Sequence, residues 1–214
     1  MQWMNLQNGA KKIRKGACYM RLILASGSKQ RQDIFKMVGF KYEVIKSTVE
    51  ENSNATDPNE YVMELSKTKA DSVAEQINSE ALIVAADTII YMNGKIYEKP
   101  KSKEEAFQSI KEMSGNVSYA ITGVTIKDLY NDKEVSFCDV ADIYMRKAED
   151  EEIKWYIDNE EDLLNISGYA MLGKASIFLE KVDGDYNTLF GISPSKLVDK
   201  FKELGYKITD FELD

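Results

Sequence analysis

The chain has 214 residues, no histidine and two cysteines, and its 36 acidic side chains outnumber its 28 lysines and arginines. The net charge of -8 argues against a nucleic-acid-binding protein, which normally carries a basic stripe, although a few lysines in a cleft can hold phosphates on an acidic protein. The absence of histidine excludes Ser-His-Asp catalysis, Cys-His catalysis and histidine-ligated zinc. Hydrolytic chemistry here would need carboxylates, lysines and a hard metal ion such as Mg²⁺ or Mn²⁺.

The cysteines and the apolar runs indicate a soluble protein from a reducing compartment. Cys18 and Cys138 cannot build a disulfide framework. No apolar run approaches the roughly 18 residues needed to span a bilayer. We therefore expect a cytoplasmic protein.

The first nineteen residues differ from the rest of the chain. Residues 1–19 show no hydrophobic periodicity, and their basic cluster is not followed by the apolar core of a signal peptide. We predict that they are a non-core extension, that Met20 is the biological start, and that residues 20–214 form one domain. Recovery of peptides from residues 1–19 in the native host would contradict the start-site prediction.

The first predicted elements are a strand, a helix and a second strand. The apolar run at residues 22–25 predicts a buried strand. Ser26-Gly27-Ser28 then supplies a turn and a helix cap, and Gly39 ends the helix. Residues 40–45 alternate in polarity, which predicts another strand.

A second group of signals begins at Asp57-Pro58, where the aspartate caps a helix and the proline occupies its first turn. The apolar run at residues 81–86 predicts a buried strand that ends at Asp87-Thr88. Asn93-Gly94 is the turn expected in a hairpin.

The remaining predicted elements include both helices and strands. They are a helix from Ser102 to Met113, strands at residues 119–126 and 134–145, a helix at residues 150–158, a strand at residues 176–182, and a final helix started by Ser193-Pro194. Because strands and helices interleave along the chain, we predict an α/β or mixed α+β protein.

The turn after the first strand is the first candidate site. Free backbone N–H groups at a helix N-terminus, the hydroxyls of Ser26 and Ser28, and the guanidinium of Arg31 together suit a phosphate group. Serine is also the ordinary helix cap, so the local pattern alone leaves a purely structural role open.

Four further groups of polar residues give weaker evidence of a functional site when each group is taken alone. A carboxylate that follows an apolar strand, as Asp87 does, lies where α/β folds place their ligands. The same carboxylate can instead have a structural role, in which it only forms a hydrogen bond with a neighbouring turn. The others are equally typical of a solvated surface: Glu50-Glu51, Lys67 with Lys69, and Lys99-Pro100.

In chain order, these segments resemble the motifs of the Maf family of nucleotide pyrophosphatases. The family opens with L-A-S-x-S-P-R-R, and residues 24–31 here read L-A-S-G-S-K-Q-R. The later segments that match the family order are Glu50-Glu51, Ser66-Lys67-Thr68-Lys69-Ala70, Ala86-Asp87-Thr88, Glu98-Lys99-Pro100, Ser114-Gly115, Thr122-Gly123-Val124 and Asp183-Gly184-Asp185-Tyr186. The resemblance covers about residues 21–205.

The resemblance implies hydrolysis of a nucleoside triphosphate to a monophosphate and pyrophosphate. It implies a twisted mixed sheet flanked by helices, with two lobes around a deep cleft, related to the inosine triphosphate pyrophosphatase-like fold. By the same resemblance, Asp87 is the base that activates water, and Glu50 with Asp87 holds a divalent cation (Mg²⁺ or Mn²⁺). The residues implied to contact the triphosphate are Ser26, Ser28, Arg31, Lys69 and Lys99. The family also suggests a homodimer.

Three positions look like base readers in the family members that prefer dTTP and UTP. Thr88 is kept here, but Gln30 replaces an arginine and Leu172 replaces a glutamine. The first change removes a cation with a planar donor fork, and the second removes both amide functions. Because a site that reads base edges needs hydrogen-bonding groups, we predict that the dTTP/UTP preference is weakened or replaced.

Two other interpretations stay open on the sequence. One is a nucleotide-binding regulator, for example of septum formation or cell division, with little catalysis. The other is an unrelated structural α/β protein whose motifs are only caps and surface groups.

Overall fold

The computed structural model describes residues 19–50, 52–165 and 173–213. Within these ranges the helices are α1 (Lys29–Val38), α2 (Pro58–Gln76), α3 (Lys103–Met113), α4 (Asp150–Asn159) and α5 (Pro194–Leu204). The strands are β1 (Leu22–Leu24), β2 (Glu43–Val44), β3 (Leu82–Met92), β4 (Lys95–Tyr97), β5 (Val117–Asp128), β6 (Lys133–Met145) and β7 (Leu179–Asp183). Short 3-10 helices cover Leu163–Asn165, Gly173–Phe178, Tyr186–Phe190 and Ile208–Asp210. The predicted mixed α/β class is confirmed.

The described strands form one mixed sheet in the order β2-β1-β3-β5-β6-β7, with β4 paired to β3. The strands β2, β1 and β3 are parallel, whereas β3, β5, β6 and β7 are antiparallel neighbours. None of the helices in the described ranges is long and apolar enough to cross a membrane.

The strand pairing along one edge of β3 is interrupted. Strand β5 occupies the other edge from Leu82 to Tyr91, so β1 and β4 must share the remaining edge. There β1 pairs with β3 as far as Val84, and β4 pairs with it only from Ile90 onwards. At about 3.4 Å per residue, the interval from Val84 to Ile90 is about 20 Å long. We call this interval the β3 gap. The carboxyl end of β1 points into it, which is where open α/β sheets place ligands.

Helices cover both faces of the sheet around this gap. On one face, Ala70 and Val73 of α2 pack with Ile83 and Ala85 of β3. Gly123 of β5 lets α2 approach closely, because a Cβ built there would lie 2.3 Å from the carbonyl oxygen of Val62. This close approach fixes the distance between α2 and the sheet, and so it fixes where the side chains of α2 contact β3.

The opposite face packs against α1 and α5. The alternate residues of β3, Val84 and Ala86, lie in a core cluster with Phe35 of α1 and Phe201 of α5. Beyond the gap, Ile90 belongs to a separate core cluster that includes residues of α3 and α4. The β3 gap therefore lies between two buried cores.

The predicted helix and turn signals are confirmed where they concern local chemistry. Ser28 caps α1 by accepting from the Arg31 N–H, and Asp57 caps α2 in the same way. Gly39 ends α1 with a φ of 81°. Asn93 and Gly94 form the hairpin turn between β3 and β4 with φ values of 52° and 79°.

Two predicted strands differ from the structure. Residues 40–45 form only the two-residue strand β2, because Phe40 turns into the aromatic core while the residues of β2 stay exposed. The prediction of a strand from residue 176 is wrong, since Gly173–Phe178 is a 3-10 helix and β7 begins at Leu179. Ala175 and Phe178 are both buried at a spacing of three residues, which suits a 3-10 turn rather than a strand.

Candidate active site

The β3 gap opens into a cleft of about 1070 Å³, which is slightly larger than the usual range for small-molecule sites. The predicted site residues among its lining are Ser26, Ser28, Gln30, Arg31, Lys69, Asp87, Thr88 and Lys99. These eight positions span more than seventy residues of sequence, and the fold brings them to one cavity.

Asp87 and Thr88 lie in the middle of β3, whereas the sequence predicted that they end it. The strand continues to Met92 because β5 and β4 pair with its second half. Consecutive residues of a strand point to opposite faces of the sheet. Both side chains nevertheless line the same cleft, because the edge of β3 carries no described strand between them and the cavity.

Asp87 forms a buried ion pair with Lys69 of α2. The Lys69 ammonium donates to Asp87 Oδ1 at 2.5 Å, and each side chain is only 11% exposed. Charges so poorly solvated need a partner, and each of these groups provides one for the other. The pair places a carboxylate and a cation together at the centre of the β3 gap.

We call residues 25–31, which run from the end of β1 into the first turn of α1, the β1–α1 turn. This segment brings hydrogen-bond donors to the same cavity. Arg31 donates from Nη1 to Ser26 Oγ at 3.2 Å and from Nη2 to Thr88 Oγ1 at 2.9 Å. The backbone N–H of Ser28 also donates to Ser26 Oγ, at 3.2 Å. Gln30 accepts from the Ser28 hydroxyl at 2.9 Å, so its side chain lies against the turn.

The lining residues fall into two sets that differ in burial. We call the first the inner set; its members are buried or half-buried on β3, α2 and the β1–α1 turn: Ser26, Arg31, Lys69, Asp87 and Thr88. We call the second the outer set; its members are exposed or half-buried and follow β4 or α4: Glu98, Lys99, Glu160 and Asp162.

The outer set makes few contacts. Within the described ranges, no hydrogen bond or ion pair joins the side chain of Glu98 or Lys99 to another residue. Glu160 lies 4.0 Å from the Lys174 ammonium, and it accepts from the backbone N–H of Asp162 at 3.4 Å. The outer set is therefore held by the backbone more than by its side chains.

Comparisons with known proteins decide the family. The family model described as Maf-like protein matches residues 21–204. The chain belongs to the Maf-like family.

Curated relatives of this Maf-like chain match over nearly their whole length. A dTTP/UTP pyrophosphatase of Thermoanaerobacter sp. (strain X514) is 40% identical over 183 residues, which are 86% of this chain and 96% of that protein. A dTTP/UTP pyrophosphatase of Fusobacterium nucleatum subsp. nucleatum is 34% identical over 188 residues, 88% and 97% of the two chains. Among solved structures, the Staphylococcus aureus Ham1 protein gives a TM-score of 0.42 at 13% identity, covering 60% of this chain and 73% of that one.

One predicted site residue, Glu50, lies outside the cleft that the described residues form, and another, Leu172, cannot be compared with the cleft because it is not among the described residues. Glu50 is exposed and is not among the lining residues, because the Maf-like chain leaves the cleft after Ser47 in an irregular polar segment. The position of Glu50 therefore gives no support to the prediction that it binds a metal ion together with Asp87, and that assignment stays a prediction. Leu172 lies outside the described residues, as do Cys18, Glu51 and residues 1–18 in general.

The structure also adds lining residues that the sequence did not single out. Lys46, just after β2, reaches over the β1–α1 turn, and its Cε lies 2.8 Å from the position that a Cβ on Gly27 would take. Lys29, the first residue of α1, lines the cleft as well. No local signal marks Lys46, since exposed lysines are common, and only the parallel pairing of β1 and β2 brings it to the cleft. Lys29 lies inside the motif at residues 24–31, where the sequence assigned it no role.

Tyr97 adds a neutral polar group to the lining. Burial, followed by its hydrogen bond to Glu112, raises the pKa of Tyr97 to about 12. The hydroxyl therefore stays protonated near neutral pH and donates to Glu112 at 2.9 Å.

The carboxylates of the cleft suit a metal that arrives with its substrate. No group of three or more acidic or cysteine side chains in the described ranges is placed to bind a metal ion by itself. Magnesium, however, is commonly bound through one or two carboxylates together with substrate phosphates. Asp87, beside donors that suit phosphate, fits this second arrangement.

Proposed function

We propose that this protein hydrolyses nucleoside triphosphates to nucleoside monophosphates and pyrophosphate in the cleft at the β3 gap. The observation that carries the proposal is the buried Asp87–Lys69 pair, placed in one cavity with the donors of the β1–α1 turn. Membership of the Maf-like family and the assignment of its relatives as dTTP/UTP pyrophosphatases support the same activity. The size of the cleft suits a nucleotide.

The inner set supplies the groups that this reaction needs. Phosphoryl transfer depends on positioning and on neutralising negative charge more than on covalent chemistry. Arg31 and Lys69 are cations that can hold the triphosphate, and Ser26 has a hydroxyl at the same point. Asp87 is the base: it takes a proton from the attacking water while the α–β anhydride bond breaks and pyrophosphate leaves.

We infer that Mg²⁺ or Mn²⁺ takes part, held by Asp87 together with substrate phosphates. When bound, such an ion neutralises phosphate charge and lowers the pKa of a bound water. The Asp87 carboxylate has two oxygens, of which Oδ1 accepts from Lys69. Glu50 stays a predicted second ligand, although its exposed position gives that role no support.

We also propose that the base preference differs from that of the dTTP/UTP relatives. Gln30 lines the cleft beside the β1–α1 turn, where it offers an amide instead of the arginine fork. Thr88 is retained, and Leu172 offers no hydrogen bond to a base. A site that loses two of the three side chains that hydrogen-bond to the base discriminates less between different bases.

The test is pyrophosphate release from a panel of common and modified triphosphates, with Mg²⁺ or Mn²⁺, for the wild-type protein and Asp87→Asn. The variant should lose about 10²- to 10⁴-fold in kcat, the usual contribution of a general base, while still binding nucleotide. A protein that only binds nucleotides would release no pyrophosphate at all. A strong and exclusive preference for dTTP and UTP would refute the proposal on base specificity.

A further inference from the structure

A chain of hydroxyl groups runs from Arg31 into the interior. Arg31 donates to Thr88 Oγ1 at 2.9 Å, Thr88 and Thr122 share a hydrogen bond of 2.9 Å, and Thr122 donates to the carbonyl oxygen of Thr188 at 3.0 Å. We call Thr88, Thr122 and Thr188 the threonine chain. It links the β1–α1 turn, through β3 and β5, to the 3-10 helix Tyr186–Phe190.

The hydrogen bonds of the threonine chain all run from donor to acceptor in the same direction, from Arg31 towards Thr188. A hydroxyl has a single proton to donate, and that of Thr122 goes to the Thr188 carbonyl. In the bond between Thr88 and Thr122, the donor is consequently Thr88. Since its own proton is committed, Thr88 can offer a ligand in the cleft only an acceptor lone pair. Every hydrogen bond from Arg31 inward thus has a fixed donor and acceptor.

The far end of the chain is anchored in the core. The Thr188 hydroxyl donates to Asp139 Oδ2 at 2.7 Å, and the other carboxylate oxygen of Asp139 pairs with Lys196. Thr122, Thr188 and Asp139 are 1%, 0% and 3% exposed. Hydrogen bonds this well shielded from water hold their geometry, and a partner removed from them is not replaced by solvent.

Gly191 restrains the guanidinium of Arg31 as well. A Cβ built on Gly191 would lie 2.4 Å from Arg31 Nε, and the glycine has a φ of 100°. The backbone at this point therefore packs directly against the guanidinium. Arg31 is held by Thr88, by Ser26 and by this contact, although arginine is a long side chain that loses much rotamer freedom when it is ordered.

We propose that Thr122 is a positioning residue that aims Arg31 at the triphosphate by way of Thr88. This inference rests on the proposed function, because it assigns Arg31 to the substrate. A cation that is already oriented binds phosphate without the entropic cost of ordering at the moment of binding. Loss of the Thr122 hydroxyl leaves the Thr88 hydroxyl without its acceptor, so that Thr88 no longer holds Arg31 Nη2 in one orientation and the aim of the guanidinium loosens.

The same strand provides a matched control. Thr125, three residues after Thr122 on β5, is 0% exposed, and its hydroxyl bonds Ser66 and Ser136 at 2.9 Å each. It does not line the cleft. The substitutions Thr122→Val and Thr125→Val therefore remove equivalent buried hydroxyls, of which only the first connects to Arg31.

The experiment compares both variants with the wild type by steady-state pyrophosphate release and by titration with an α,β-methylene triphosphate. Thr122→Val should raise both KM and the Kd of the analogue about tenfold, the loss expected for one buried hydrogen bond, with a smaller change in kcat. Thr122→Ser should restore both values, and Thr125→Val should leave them unchanged. In an Arg31→Ala background, Thr122→Val should have no further effect on the Kd of the analogue.

Equal shifts in the Kd of the analogue for Thr122→Val and Thr125→Val, or no shift for Thr122→Val, would overturn the positioning role while an active wild type leaves the proposed function intact. Absence of pyrophosphate release by the wild type would instead remove the proposed function and the inference with it. If Thr122→Val does not fold, Thr122→Ala and Thr125→Ala provide the same comparison without an added methyl group.

Discussion

The inner and outer sets of cleft residues differ in how firmly they are held. Asp87 and Lys69 are paired and nearly buried, and Arg31 is bonded to Thr88 and Ser26. Lys99 and Glu98 are exposed, with no side-chain partner in the described ranges. The difference teaches that the inner part of the cleft has a geometry fixed by the protein's own contacts, whereas the outer part is less constrained by side-chain contacts.

The cause of this difference lies in the elements that carry the two sets. The inner set sits on β3, α2 and the β1–α1 turn, whose neighbouring residues form the buried cores. The outer set follows the ends of β4 and α4, and its residues are exposed or half-buried. Exposed ion pairs contribute only about 0–1 kcal/mol of interaction free energy. We therefore expect substitutions in the outer set to have small effects on stability and on ligand binding.

The largest effect that tests this comparison is expected at Lys69. Lys69→Met keeps the length of the side chain but removes the cation paired with Asp87, and it should lower kcat/KM by about 10²- to 10³-fold, the usual cost of removing one electrostatic contact to the reacting groups. Lys67→Met is the control, because Lys67 lies on the same helix, is half exposed and pairs with Glu134. Similar kinetics for the two variants would contradict a special role of the buried pair.

The next largest effect concerns base preference. Gln30→Arg restores the guanidinium fork beside the β1–α1 turn, and it should raise the kcat/KM for dTTP and UTP relative to that for the other triphosphates by about tenfold. Gln32→Arg adds the same charge two residues further along α1, outside the cleft lining, and should leave the ratio unchanged. The assignment fails if both arginines shift the ratio alike.

A smaller effect is expected in the outer set. Lys99→Gln should raise KM by about threefold with kcat unchanged, because an exposed cation without a fixed geometry contributes little to phosphate binding. Lys101→Gln removes a neighbouring exposed lysine that does not line the cleft, and it should change neither value. If Lys99→Gln lowered kcat/KM as much as Lys69→Met, the inner and outer sets would contribute equally to activity, and the comparison would be wrong.

The smallest effect concerns acid stability near the inner set, at the residue that caps the 3-10 helix Tyr186–Phe190. Burial tends to raise the pKa of the Asp185 carboxyl, but hydrogen bonds from Ser193 and Asn187 outweigh it and lower that pKa. A lowered carboxyl pKa stabilises the fold fully above the ordinary unfolded value of about 3.9, and this contribution is lost as the pH falls further.

Asp185→Asn should therefore lower Tm by a few degrees at pH 7, and its difference from the wild type should shrink below about pH 4. Thermal unfolding between pH 7 and pH 3 measures both quantities. A Tm difference that stays constant over this range would show that the carboxylate charge does not stabilise the fold.

Much of the fold followed from local patterns in the sequence. The caps at Ser28 and Asp57 and the turn at Asn93-Gly94 were predicted correctly, because each depends on side-chain and backbone chemistry within a few residues. The strand predicted from residue 176 was wrong, since the burial of Ala175 and Phe178 in a 3-10 turn depends on what packs against them. One of those partners is Tyr156, whose ring lies 5.6 Å from that of Phe178.

The sequence by itself, through its resemblance to the Maf family, predicted the residues to which the proposed chemistry is assigned: a carboxylate at position 87, lysines at 69 and 99, and the phosphate-suited turn from Ser26 to Arg31. Only the tertiary structure decided that β1 and β4 leave an edge of β3 uncovered, so that side chains from opposite faces reach one cavity. It also brought Lys46 to that cavity and left Glu50 outside it. Residue chemistry is local, whereas the uncovered part of a strand depends on how segments remote in sequence pair with it.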